Sequence, residues 1–163
     1  MDKTLVLLLL LCAAVDAVVD YQWEFFGAPS NGNALVLAVA PSDPNTIYAG
    51  GGYGQVFVSE DGGGRWQGFE VDGTRRHIVD LAVDSQHATT VYASIFPGGF
   101  VAPLLYKSED GARSWFPLEG VGLDEARVLV APSDPQVVYV EHGRSEEGGV
   151  SWERVDTSTS EEP

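Results

Sequence analysis

Apolar and polar positions alternate along this chain in short runs, each closed by glycine, proline or Asx residues. Leu35-Val36-Leu37-Ala38-Val39 reads as a buried strand, ended by the turn-forming Pro41-Ser42-Asp43-Pro44-Asn45. Thr46-Ile47-Tyr48-Ala49 predicts a second strand broken by Gly50-Gly51-Gly52, Gln55-Val56-Phe57-Val58 a third, and Trp66-Gln67-Gly68-Phe69-Glu70-Val71 a fourth. Short period-two runs joined by tight turns pair antiparallel, so this stretch predicts one small four-stranded sheet.

The same order of runs returns. His77-Ile78-Val79-Asp80-Leu81-Ala82-Val83, Thr90-Val91-Tyr92-Ala93, Leu104-Leu105-Tyr106-Lys107 and Trp115-Phe116-Pro117-Leu118 repeat it with an insertion at Ile95 to Pro103. A third round holds Ala126 to Val130 and Val137-Val138-Tyr139-Val140, and Ala40-Pro41-Ser42-Asp43-Pro44 recurs unchanged as Ala131-Pro132-Ser133-Asp134-Pro135. Each Trp at a fourth strand (Trp23, Trp66, Trp115) precedes the next Tyr (Tyr48, Tyr92, Tyr139) by nearly the same number of positions. The section from that Tyr to the following Trp is the variable one. In the last round it is so short that no third strand is expected.

A repeating four-stranded unit of this length predicts a propeller blade. The reading is therefore all-β: a partial β-propeller of about three four-stranded antiparallel blades, at 34–71, 77–119 and 126–155, within a repeat region spanning 21–155. An aromatic piece around Trp23 stands where a leading fourth strand would be. A closed propeller hides its strand edges, whereas three blades expose them, so association with another copy or a partner is expected.

One eight-residue word marks the end of each third run: Ser59-Glu60-Asp61-Gly62-Gly63-Gly64-Arg65-Trp66, Ser108-Glu109-Asp110-Gly111-Ala112-Arg113-Ser114-Trp115 and Ser145-Glu146-Glu147-Gly148-Gly149-Val150-Ser151-Trp152. Ser and Asp side chains can bond the backbone within a turn, Gly admits positive φ, and Trp anchors the next strand. The word resembles the Asp-box, or BNR repeat, of sialidase-like β-propellers. Ala40-Pro41-Ser42-Asp43-Pro44-Asn45-Thr46-Ile47-Tyr48-Ala49-Gly50 resembles the repeat of xyloglucanase-, sortilin- and photosystem-assembly-factor-type propellers. The resemblance implies a structural role for Ser59, Asp61, Gly63 and Trp66, for Ser108, Asp110 and Trp115, and for Ser145, Glu147, Gly149 and Trp152. Three departures stand out: Arg65 where Ser or Thr is usual, Ala112 in place of a glycine, and Glu147 in place of Asp.

Composition narrows the function classes. A net charge of −15 repels phosphate backbones and anionic lipid, so nucleic acid is not an expected partner. Lys3 followed by the apolar run Leu5 to Val15 and the small residues around Ala17 predict a helical signal peptide at 1–17 and hence a secreted or periplasmic protein. That run is too short to span a bilayer comfortably, so no stable membrane span is expected after cleavage. Cleavage would also remove Cys12, the single cysteine, and with it any disulfide or thiol chemistry. The tail 156–163 is polar and acidic and is expected to be disordered.

Candidate chemistry is sparse. A sialidase-like reading would need a cluster of arginines, for which Arg75, Arg76 and Arg127 sit near first strands; a xyloglucanase-like reading would need two carboxylates across a cleft. Asp43 and Asp134 are explained as turn caps and Asp84 flanks its strand. Asp80, inside an alternating run, is the one carboxylate that a turn does not explain and is the candidate catalytic residue. His77, His87 and His142 lack ligand spacing, so neither metal nor cofactor is expected. Phe96 and Phe100 place an apolar tip on the insertion and are candidate binding residues. The expected function is an exported, non-catalytic propeller module for protein or glycan binding; the alternative is a fragment of a glycoside hydrolase.

Overall fold

Strands β1 (Ala34–Ala40), β2 (Asp43–Gly51), β3 (Gln55–Ser59) and β4 (Gln67–Glu70) pair in that order, each antiparallel to the next. The computed structural model of the chain describes residues 34–73, 75–96, 104–120 and 127–155. The expected signal peptide, the strand around Trp23, Phe100 and the acidic tail lie outside the described residues. Strands β5 (His77–Val83), β6 (Val91–Phe96), β7 (Leu104–Ser108) and β8 (Phe116–Leu118) form the second sheet. Strands β9 (Val128–Val130), β10 (Val138–Val140), β11 (Gly143–Ser145) and β12 (Glu153–Arg154) form the third. The protein is thus all-β, three four-stranded antiparallel blades of a β-propeller.

Two details depart from the sequence reading. The third blade does contain its third strand: β11 pairs Val138 with Ser145, Tyr139 with Arg144 and Val140 with Gly143. It escapes hydropathy because Gly143-Arg144-Ser145 has no β-branched or aromatic residue, and the hairpin turn before it has shrunk to Glu141 and His142. Gly50 and Gly51 do not break β2 but belong to it. A Cβ on Gly50 would lie 2.5 Å from Ile78 Cγ2 and 2.9 Å from Val36 Cγ1, so glycine here lets the second blade approach the first.

Blades stack through their inner strands. One face of blade 1 carries Tyr48, Val56, Val58 and Val71 against Ile78, Leu81 and Val83 of β5, all buried. Blade 2 repeats this toward blade 3, with Tyr92 and Leu105 against Val128, Val138 and Val140. Each large side chain so buried stabilises by about 1.5–3 kcal/mol relative to exposure, which makes the junctions the main source of cohesion between blades. Tyrosine fastens each junction. Tyr48 Oη donates to the Ala88 carbonyl at 2.7 Å, and Tyr92 Oη donates to the Gly148 carbonyl at 3.1 Å.

Because adjacent strands are antiparallel, the β1–β2 and β3–β4 turns share one end of a blade, and the β2–β3 and β4–β5 connections share the other. The hydrogen bond from Gly62 N to Asn45 O joins the first pair, and that from Val71 N to Gly54 O joins the second, each at 2.9 Å. Functional side chains divide between these two ends. No helix among the described residues is long and apolar enough to cross a membrane.

Candidate functional site

The recurring eight-residue words all fall on turns between third and fourth strands. In the first, the Ser59 hydroxyl donates to Asp61 Oδ1 at 2.9 Å and accepts from Gly63 N at 2.8 Å, while Arg65 N donates to Asp61 Oδ1 at 2.8 Å. Trp66 Nε1 closes the turn on the Gly63 carbonyl at 3.0 Å. The second turn reproduces every one of these bonds through Ser108, Asp110, Ala112, Ser114 and Trp115. Ala112 takes φ 71°, the left-handed conformation that glycine takes at Gly63 and Gly149. Its methyl is fully buried in the first blade junction, which offsets the roughly 1 kcal/mol cost of that backbone.

The third turn is the deficient one. Ser145 Oγ still accepts from Gly149 N at 2.9 Å, and Glu147 Oε2 accepts the Ser151 hydroxyl at 3.0 Å. The extra methylene of Glu147 carries its carboxylate past the Ser145 hydroxyl and the Ser151 amide. Trp152 Nε1 is buried without a hydrogen-bond partner, unlike Trp66 and Trp115.

The electrostatics follow the ring. The Ser114 hydroxyl, donating to Asp110 Oδ2 at 2.6 Å, holds the Asp110 carboxyl down at about 2, with further help from the Ser114 amide and Ser108. Asp61 is also lowered, chiefly by the Arg65 amide; Arg65 offers no hydroxyl at the equivalent position. These side chains are spent on holding turns.

Asp80 sits on β5 beside a bulge between Ile78 and Asp80. Its Oδ1 accepts from Leu81 N and its Oδ2 from Val128 N, both at 3.0 Å. The second bond ties blade 2 to the start of blade 3. Asp84 is buried and accepts from the amides of Gln86 and His87. Asp43 and Asp134 cap their turns through Asn45 N and Gln136 N. Phe96 ends β6, partly exposed, and Arg127 lies just before β9. Among the described residues no cluster of three His, Cys, Asp or Glu is placed to hold a metal ion.

The opposite end of blade 1 holds a cleft that hydropathy gives no hint of. It is about 370 Å³ and is lined by Tyr53, Gln55, Glu70 and Arg75. Tyr53, in the one-turn 3₁₀ segment Gly52–Gly54, takes φ 67° and ψ 18°, and Arg75 takes φ 58°. Two non-glycine residues in the left-handed region therefore meet at one cleft, each at a cost of about 1–3 kcal/mol. Tyr53 is 64% exposed, so no buried contact of its own ring explains the strain. The backbone beneath is tightly closed: a Cβ on Gly54 would lie 3.3 Å from Arg75 N. An exposed ring beside a guanidinium, a carboxylate and an amide can stack on a flat ligand and hydrogen-bond around it. Arg75 had been read from the sequence as a surface arginine, and Tyr53 carried no periodic signal because its exposure comes from backbone geometry alone.

No family model and no curated protein matches the chain. Among solved structures it resembles YCF48 from Cyanidioschyzon merolae, at 16% identity and TM-score 0.60, over 81% of this chain and 42% of that one. A GH74 xyloglucanase from Xanthomonas campestris is similar at 16% identity and TM-score 0.60, over 82% of this chain and 22% of that one. A YCF48 bound to a D1 peptide is similar at 13% identity and TM-score 0.56, over 75% and 40%. The chain therefore spans less than half the length of these similar propellers, and what it shares with them is the β-propeller fold.

Proposed function

We propose that the chain is an exported, non-catalytic β-propeller module whose β3–β4 turns are Asp-boxes and which binds a protein or glycan through the Tyr53 cleft. The observation that carries the reading is the strained pair Tyr53 and Arg75: backbone strain with no packing gain is retained where a ligand uses the side chain. Gln55 and Glu70 supply the polar rim that such ligands need. The bound D1 peptide of a similar propeller supports the protein side of the reading. The apolar leader supports export.

The glycoside hydrolase reading draws on the likeness to the GH74 xyloglucanase. It requires a free pair of carboxylates flanking a sugar. Glu70 is the carboxylate among the described residues that line the cleft, and both oxygens of Asp80 accept backbone amides. Those facts favour binding without turnover. Glycan and peptide arrays followed by titration calorimetry test this: the chain should bind a hit that Tyr53→Ala loses at least tenfold, with no release of reducing sugar. Reducing-sugar release that Asp80→Asn abolishes would transfer the case to the hydrolase. Binding untouched by Tyr53→Ala would sink the cleft as its site.

A further inference from the structure

The two ends of the blade stack carry the two halves of one junction. At the first junction the Tyr48 hydroxyl lies over the turn glycine of the next blade: a Cβ on Gly111 would stand 3.7 Å from it. At the second, a Cβ on Gly148 would stand 3.5 Å from the Tyr92 hydroxyl. Gly62 is the equivalent residue of blade 1, and its socket is built the same way. Gly62 N donates to Asn45 O at 2.9 Å, Gly111 N to Thr89 O at 2.9 Å and Gly148 N to Gln136 O at 2.8 Å, all three glycines having positive φ. Gly111 and Gly148 are buried beneath a tyrosine; Gly62 is exposed.

The strand faces show the same asymmetry. Leu37, Leu81 and Val128 occupy one position of the repeat, and their exposures are 65%, 6% and 1%. Tyr48, Tyr92 and Tyr139 occupy another, at 0%, 1% and 40%. Beside Tyr139, Leu129 stands 67% exposed where blades 1 and 2 have the small Ala38 and Ala82. A pocket of about 360 Å³ opens over this face, lined by Arg127, Leu129, Tyr139, Val140, Glu141 and Val155. Blade 3 thus presents an unseated tyrosine, and blade 1 an open socket with Leu37 and Val39 exposed.

We propose that a second copy of this chain fills both vacancies, head to tail: the Tyr139 face of one copy docks on the Leu37 and Val39 face of the other. The occupant is argued from continuity, because the chain already forms this junction twice with itself at the same repeat positions. A copy cannot satisfy its own ends, since β5 packs against β1 on one side and β9 on the other. Two copies bring six blades, inside the roughly four to eight at which propellers close. Such a contact is heterologous, and closing after two copies prevents the open filament that head-to-tail contacts otherwise build. The rim chemistry has an internal precedent: Glu60 of blade 1 pairs with Arg113 of blade 2 at 3.0 Å. Glu146 stands at the position of Glu60 on the free face, and Arg65 lies one residue beyond the position of Arg113 on the free socket. The proposal is independent of any ligand at the Tyr53 cleft, since it concerns the faces between blades.

Sedimentation equilibrium across a dilution series tests it, using the full chain and two variants at exposed positions, Leu129→Asp and Val39→Asp, each checked for native circular dichroism. The wild type should have the mass of two chains and each variant that of one. An equimolar mixture of the variants should regain two-chain mass, because each keeps the face that the other has lost. Wild type at one-chain mass overturns the proposal, as does growth beyond two chains. A dimer broken by only one substitution, or a mixture that stays at one-chain mass, points to a different contact and overturns it as well.

Discussion

Tyr48 Oη and the carbonyl oxygen of Ala88 lie 2.7 Å apart across the first blade junction, and this one bond joins two sheets that share no strand ladder. Burial pushes the Tyr48 phenol up to about 12, against weaker opposing help from Arg113. The neutral phenol is thus the form that the fold holds. Tyr48→Phe should cost about 1 kcal/mol in urea unfolding, the usual net value of such a bond. The tyrosine's contribution is complete below its unfolded value near 10 and is lost as pH rises through about 12. Wild-type stability should therefore fall between pH 10 and 12, and Tyr48→Phe should flatten that limb. An unchanged slope would show that other groups control alkaline unfolding.

Trp152 gives a second test. Its buried indole N–H has no partner, and the carboxylate of its turn is one methylene too long. Glu147→Asp restores the side-chain length of Asp61 and Asp110, whose oxygens accept both the serine hydroxyl and the amide four residues on. The substitution should stabilise the protein by about 1 kcal/mol, the net of one or two recovered hydrogen bonds. Hydrogen exchange should slow at the Ser151 amide in particular. Faster exchange in the third blade would refute the account.

The architecture was legible because two signals repeat. Trp at the fourth strand and Tyr at the second recur at fixed spacing, and each marks an anchor that the three-dimensional repeat needs. The third strand of blade 3 was not legible, because Arg144 between Gly143 and Ser145 pairs through its backbone, and backbone pairing leaves no hydropathy trace. Asp80 was correctly singled out as a carboxylate that no turn explains. Its partner, Val128 N, lies in the next blade, and no local pattern encodes a bond spanning that distance in sequence. The Tyr53 cleft was invisible for a different reason. Strain at φ 67° belongs to the closure of Gly54 on Arg75, which only the folded backbone reveals.

Acid stability should show the hydroxyl that distinguishes two otherwise equal turns. Asp110 is depressed to about 2, first by the Ser114 hydroxyl, and Asp61 is depressed without one. A carboxylate lowered in the folded state adds stability above its unfolded value, near 3.8, and loses it as pH falls toward 2. Ser114→Ala should raise the Asp110 titration midpoint, followed by carboxyl-carbon NMR, and shift acid unfolding to higher pH. Arg65→Ser should do the opposite at Asp61. Equal midpoints in wild type and Ser114→Ala would remove the hydroxyl as the cause.

Tyr53→Gly separates strain from function at the cleft. Glycine takes φ near +67° freely, and the exposed ring contributes little packing, so the variant should gain about 1 kcal/mol in thermal or urea unfolding. The gain is reduced by the greater chain entropy that glycine brings to the unfolded state, about 0.4–1 kcal/mol, so the net rise is smaller than the relief of strain alone. Tyr53→Ala controls for this, because alanine keeps the strain while removing the ring; it should be less stable than Tyr53→Gly and equally poor at binding. If both variants are less stable than wild type by similar amounts, the ring is a packing element and the strain argument for a ligand site falls. If Tyr53→Gly is the more stable and both lose the ligand, stability has been traded for recognition at this residue.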